Sequence, residues 1–165
     1  MSHIRFSVLA VATLALVGAF SMTALSQDLL TQKVISVDMA QTMAQTAVAQ
    51  CRANGYRVTA TVLDNGGNVK LVLRDDGASI GSLDISHRKA YSALIFRRTT
   101  AESIKVFGAM TPSPNIAGTV MLAGGVPIKA GTETIGAIGV SGAPGGDKDE
   151  VCADAGIAKI ADKLK

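Results

Sequence analysis

Between Ser36 and Asn54 the apolar residues recur three and four positions apart. Val37, Ala40, Ala44, Ala47, Val48 and Cys51 form one stripe, which predicts an amphipathic helix. Ser36 is placed to cap its start and Gly55 to supply a left-handed stop. The many alanines predict close packing against a neighbour. The period then changes to two. Val58, Ala60 and Val62 alternate with Thr59, Thr61 and Leu63, Asp64-Asn-Gly-Gly-Asn68 is a turn cluster, and Val69 to Leu73 returns, so residues 57–74 read as a hairpin. Helical spacing resumes over Ser82 to Arg98, with Ser82 or Asp84 as the cap, and a shorter helix follows over Thr100 to Phe107.

Residues 108–119 contain Thr111-Pro-Ser-Pro-Asn115 and little periodicity, and read as an irregular loop of the kind that often carries ligands. A second hairpin joins residues 124–130 to 134–142 across Gly131-Thr-Glu133. The last helix starts at an Asp147-x-x-Glu150 capping box and buries Ala153, Ile157, Ile160, Ala161 and Leu164. Helices and hairpins in this order predict one α+β domain, an antiparallel sheet flanked by helices.

The first residues lie outside that domain. Met1 to Arg5 is a basic start, Phe6 to Phe20 is an uncharged apolar run, and Ala24-Leu-Ser26 offers small residues at the −3 and −1 positions. Residues 1–26 therefore read as a signal peptide cleaved before Gln27, leaving a domain of residues 27–165 in the periplasm or secreted, with no membrane span after cleavage. An uncleaved anchor is the competing reading, since no charge lies between Arg5 and Asp28.

Of the 16 basic residues Arg5 leaves with the leader, so the rest balance the 13 acidic ones to within two charges. With no basic run and no tryptophan, the chain lacks the electrostatic and stacking footprint of a nucleic-acid binder. Cys51 and Cys152 are the only cysteines. An even count in an exported chain favours a disulfide, and antiparallel packing of the first and last helices would bring the two together; two buried free thiols are the alternative.

The glycine-rich stretch Gly136-Ala-Ile-Gly-Val-Ser-Gly-Ala-Pro-Gly-Gly-Asp-Lys-Asp-Glu150 fails the tests for catalytic loops. It has no Gly-Lys-Ser/Thr for a phosphate loop and no Gly-x-Gly-x-x-Gly, and Ser141 misses the nucleophile-elbow spacing by one position. It reads as strand, turn and helix start. Glycines within the strand imply close approach to its backbone, by a packed helix or by a flat ligand.

Several stretches together carry a family resemblance. They are Val62-Leu-Asp-Asn-Gly-Gly-Asn-Val69, His87-Arg-Lys-Ala-Tyr-Ser-Ala93, Ala123-Gly-Gly-Val-Pro-Ile128 and Gly136-Ala-Ile-Gly-Val-Ser-Gly142, followed by Asp149-Glu150 and Ala155-Gly156. In this order they resemble the GlcG/HbpS family of small haem-binding proteins and the carboxy-terminal domain of PduO-type cobalamin adenosyltransferases. The resemblance implies a profilin-like or PAS-like sandwich, a homo-oligomer, haem or alternatively a corrinoid as cofactor, and a sensor-protein partner for some members. It implies no particular axial ligand.

His87 is the only histidine after the leader, and Leu83, His87, Ala90, Tyr91 and Leu94 share one helical face. That face suits a pocket wall with His87 as haem or metal ligand and Tyr91 beside it, or a core with a satisfied histidine. Met110 and Met121 are second candidate ligands or core filler. Arg88, Lys89, Arg97 and Arg98 could pair with propionates or form a solvated face. Asp149 and Glu150 could form an acid/base pair or simply cap a helix. The lack of a catalytic constellation favours a binding module over an enzyme acting on a small metabolite such as a hydroxy acid, or on haem itself.

Overall fold

The computed structural model of the protein describes residues 29–108 and 116–165. The proposed leader, and Met110 with it, lie outside the described residues. Residues 32–165 form one compact unit. The elements in chain order are α1 (Val37–Ala53), β1 (Thr59–Asp64), β2 (Val69–Arg74), α2 (Ser82–Phe96), α3 (Thr100–Phe107), β3 (Gly125–Ala130), β4 (Glu133–Ser141) and α4 (Gly146–Ala158). A short 3-10 turn, Ala161–Lys163, follows. The strands form a sheet in the order β2-β1-β4-β3, antiparallel throughout. The expected α+β sandwich is therefore present.

Strand alternation sorts the sheet's residues onto two faces. Ala60, Val62, Ile138 and Val140 join the large core that α1 and α4 close. Leu63 and Ala137 face the other way, against Ala90 and Ala93 of α2. This second face also carries polar pairs: the hydroxyls of Thr59 and Ser82 meet at 2.7 Å, and those of Thr61 and Ser86 at 2.8 Å. Each buried hydroxyl thus has the partner it needs.

Ser36 caps α1, accepting from the Met39 N–H, and Gly55 follows its end at a φ of 83°. The buried stripe is Ala40, Met43, Ala44, Ala47, Val48 and Cys51. Val37, expected within it, is 55% exposed, because it sits in the first turn beyond the partner's reach. The partner is α4: a side chain at Gly156 would run into the Met43 carbonyl and the Ala47 side chain. Across this seam Cys51 and Cys152 are disulfide-bonded, with Cα atoms 5.6 Å apart. Cys152 lies in the second turn of α4, two residues further from the helix start than a cap at Asp147 would have placed it, since the helix starts at Gly146.

Three expectations about helix ends need correction. At the start of α2 neither Ser82 nor Asp84 caps; Gly81 holds the position, and the Ser82 hydroxyl is engaged by Thr59 and the Ser79 carbonyl. The same helix stops at Phe96 because Arg97 adopts a left-handed conformation, φ 53°. At the start of α4 there is no capping box; Gly145 is the N-cap and no side chain bonds there. The final helix is also shorter than expected. Ala153 and Ile160 are buried, Ile157 and Leu164 are partly covered, and Ala161 is exposed.

Of the glycines expected to admit a close neighbour, Gly139 admits a packed helix, whereas Gly136 lies against Leu63 and Ile35. A Cβ on Gly139 would strike the Ser86 carbonyl and the backbone of Ala90. The backbone of α2 thus lies directly on β4, at a distance only glycine permits.

Candidate functional site

Because α2 is seated on β4, β1 and β3, it leaves the edge strand β2 uncovered on that face. A groove of about 370 Å³ runs along the gap, lined by Thr61, Val72, Ile80, Leu83, Asp84 and His87. His87 is half-buried in its wall. The apolar residues beside it are open to solvent: Val72 is 38% exposed, Leu83 49% and Ile80 92%. Exposed aliphatic side chains gathered around one imidazole are a surface waiting for an apolar partner.

Tyr91 stands one turn beyond His87, as expected from the spacing. The two rings are 7° from parallel with centroids 6.4 Å apart. Glycines on two loops flank the tyrosine. A Cβ at Gly67 would lie 3.4 Å from its ring and one at Gly118 3.2 Å. Past Tyr91 lies a second hollow of about 350 Å³, reaching Asn65, Leu94, Arg97 and Thr134. The turn at its edge is set by Asp64, whose carboxylate accepts from the Gly66 and Asn68 N–H groups.

The other candidates separate. Met121 is half-buried and does not line the His87 groove. Arg88 is exposed and pairs at 2.8 Å with Asp84 on the groove's rim. Arg97 lines the hollow past Tyr91 and also another one with Phe96, Arg98 and Lys105, and the Arg98 guanidinium sits over the Phe107 ring.

Lys89 is neither solvated nor near the groove. Its side chain is 3% exposed, and its ammonium donates to Asp149 Oδ2 at 2.7 Å and to the Val140 carbonyl at 3.0 Å. Asp149 Oδ1 accepts from the Ala143 N–H. Burial pushes the Asp149 carboxyl above the usual carboxylate range, opposed by the Lys89 ammonium and the Ala143 N–H. Burial also raises Glu150, opposed by the nearby Gly124 backbone and Thr99 side chain, and its Oε2 is buried without a hydrogen-bond partner. Asp149 is thus anchored by Lys89 and Ala143 while Glu150 is not, and neither side chain caps the helix. The signal for Lys89 was in the helix phase: Ser82, Ser86, Lys89 and Ala93 share the buried face.

Similarity to known proteins accords with this architecture. A family model described as "Haem degrading protein HbpS-like" matches residues 35–158. The chain belongs to the HbpS-like family. Over 115 residues it is 30% identical to the protein GlcG of Escherichia coli (strain K12), covering 67% of this chain and 84% of that one. Its fold is similar to the crystal structure of HbpS, with a TM-score of 0.76 and 36% identity over 79% of this chain and 93% of HbpS. A PduOC:heme complex shares the fold with a TM-score of 0.69 at 20% identity, covering 78% of this chain and 96% of that one. The resemblance to the GlcG/HbpS group is borne out.

The groove's residues fit a haem. One wall supplies an imidazole, aliphatic neighbours suit a porphyrin face, and a cation stands at the rim.

Proposed function

We propose that this HbpS-like protein binds haem in the groove between α2 and β2, with His87 as axial ligand. The observation that carries the reading is the open aliphatic surface of Val72, Ile80 and Leu83 around the half-buried His87. Covering such surface with a porphyrin removes it from water, which stabilises the complex in proportion to the apolar area buried. A neutral imidazole is the form that ligates iron. Tyr91 stands one turn beyond the imidazole, its ring nearly parallel to it, and lines the neighbouring hollow rather than the groove. The Asp84–Arg88 pair is exposed on both sides, and such pairs contribute little, so Arg88 is free to exchange its partner for a propionate. Haem, when bound, would supply a redox-active iron.

Hemin titration followed in the Soret band tests this. His87→Ala should shift the band and weaken affinity while leaving the circular-dichroism spectrum unchanged. An unaltered band and affinity would remove His87 as ligand. A cobalamin titration run alongside tests the corrinoid alternative.

The family description favours a second reading, that bound haem is degraded. Hemin-loaded protein treated with peroxide should then bleach faster than free hemin. A bleaching rate no faster than that of free hemin would leave the binding module.

Export belongs to the same proposal. The leader-like residues 1–26 and a disulfide between the only cysteines both suit a periplasmic or secreted protein. Among the described residues no helix is long and apolar enough to cross a membrane. Intact mass from an exporting host should begin at Gln27; the full-length chain recovered in the membrane fraction would refute cleavage. A homo-oligomer is part of the proposal through the family resemblance; light scattering should give a mass above that of one chain, and a monomer at every concentration would refute it. A sensor-protein partner is part of the proposal only through the family resemblance.

A further inference from the structure

The buried pair Lys89–Asp149 is not enclosed by core on every side. Both residues line a cleft of about 410 Å³ on the β3–β4 side of α2, away from His87. Its walls are mixed: Ile85, Ile104, Leu122 and Ala123 line one part, Ser79 joins the ion pair as a polar member, and the rim is the Ser141–Gly146 turn. Behind the pair the backbone of Gly124, at a φ of 115°, packs directly against both side chains. Any side chain there would lie 2.7 Å from the Asp149 Cβ and 2.9 Å from the Lys89 Nζ. The Lys89 ammonium has three donors and spends two, on Val140 and Asp149. The third has no acceptor among the described residues, and the space beside it is the cleft.

A buried ion pair contributes little net stability compared with apolar residues of the same size, so its place in the wall of a cleft calls for another account. Desolvation favours the free amine of a lysine, the nucleophilic form, and the Asp149 carboxylate 2.7 Å away is within reach of the proton it would give up. The aliphatic part of the wall, Ile85, Ile104 and Leu122, has room for a short alkyl group. Asp149, with Asp147 on the next helical position but one, disfavours an anion. We propose that this cleft is a second small-molecule site, separate from the haem groove, which takes a small uncharged aldehyde as an imine on Lys89.

The step balances without a co-reactant. Asp149 takes one proton from the Lys89 ammonium, and the freed lone pair forms a C–N bond to the carbonyl carbon. The carbonyl π pair moves to oxygen, which is protonated as nitrogen loses a proton, giving a carbinolamine. Asp149 then returns its proton to the hydroxyl. Water leaves as the nitrogen pair forms the C=N bond, and the product is a protonated imine with Asp149 ionised again. Burial, which favours the neutral carboxyl, eases the first transfer.

The test is reductive trapping of the full chain with propionaldehyde and cyanoborohydride near neutral pH, followed by peptide mapping. Lys89 should carry the N-propyl group several-fold sooner than the exposed Lys105, Lys129 and Lys148. Leu122→Trp at the half-exposed rim leaves the ion pair intact and fills the cleft, so it should suppress labelling of Lys89 alone. Asp149→Asn should slow it. Circular dichroism read on each sample separates these results from unfolding, in which Lys89 would label at the surface rate. Labelling of the surface lysines with Lys89 untouched in folded protein would overturn the proposal, as would unchanged Lys89 labelling in a folded Leu122→Trp variant. Hemin titration of the trapped protein should be unaltered, so failure of one site is distinguishable from failure of the other.

Discussion

Replacing Lys89 with methionine keeps most of the side chain's volume and removes its charge. The carboxylate of Asp149 is then left 3% exposed with one remaining bond, from the Ala143 N–H. Breaking a buried pair on one side costs about 3–5 kcal/mol, because the surviving charge has neither partner nor water. In a domain of this size that corresponds to a fall in Tm on the order of 10 °C. The double variant Lys89→Met/Asp149→Asn removes both charges and retains an acceptor for Ala143. It should recover more than half of the loss, as a double-mutant cycle on urea unfolding would measure. The single variant also has a pH signature. A carboxyl raised by burial prefers its protonated form in the folded state, so its contribution is most favourable at low pH and is lost as pH rises through the folded pKa. The deficit of Lys89→Met should therefore shrink on acidification. A loss below about 1 kcal/mol, the level of a surface pair, or a deficit independent of pH, would refute the account of a desolvated charge.

Reduction of Cys51–Cys152, which spans 101 residues, should lower stability by about 2–4 kcal/mol in urea titrations with and without reductant; the chain-entropy limit for such a loop is roughly 4–5 kcal/mol. Gly139→Ala forces α2 off β4 and should cost on the order of 1–3 kcal/mol by overpacking, and because α2 carries His87 it should also weaken hemin binding in the same titration. Asp75 is held below the usual carboxylate range by its hydrogen bond from Arg52, against the cost of its burial. Its depressed folded pKa means that the stability it contributes is present above about pH 4 and lost as pH falls through the folded value. Acid unfolding of Arg52→Ala should accordingly show a shallower pH dependence than that of the parent chain.

Much of the fold was legible because local periodicity and local geometry coincide. The α1 stripe, both hairpins and α3 stand close to where their patterns put them, and α3 has the capping box in which Thr99 and Glu102 bond each other's backbone N–H. The errors cluster at helix ends, where a side chain has a choice of partners. Ser82 prefers the Thr59 hydroxyl across the sheet to its own helix start, and Asp149 prefers an ammonium 60 residues away in sequence to the first turn of α4. No spacing rule within a helix can foresee a partner supplied by another element.

The candidate site divides in the same way. That His87 and Tyr91 share a face follows from 3.6 residues per turn, and the sequence by itself determined it, together with the sheet's alternating faces and a cysteine pair suited to bridging two helices. Only the tertiary structure decided that this face borders a groove. The groove exists because β2 occupies the edge of the sheet while α2 rests on the strands beyond it, a consequence of β1 pairing with β4 across more than 70 residues of chain. Likewise, helical phase turns Lys89 inward, but whether it meets a carboxylate, a carbonyl or a void depends on where β4 and α4 lie. Periodicity is a property of neighbours along the chain, whereas desolvation and pairing are properties of neighbours in space, and long-range strand pairing decides which of those neighbours meet.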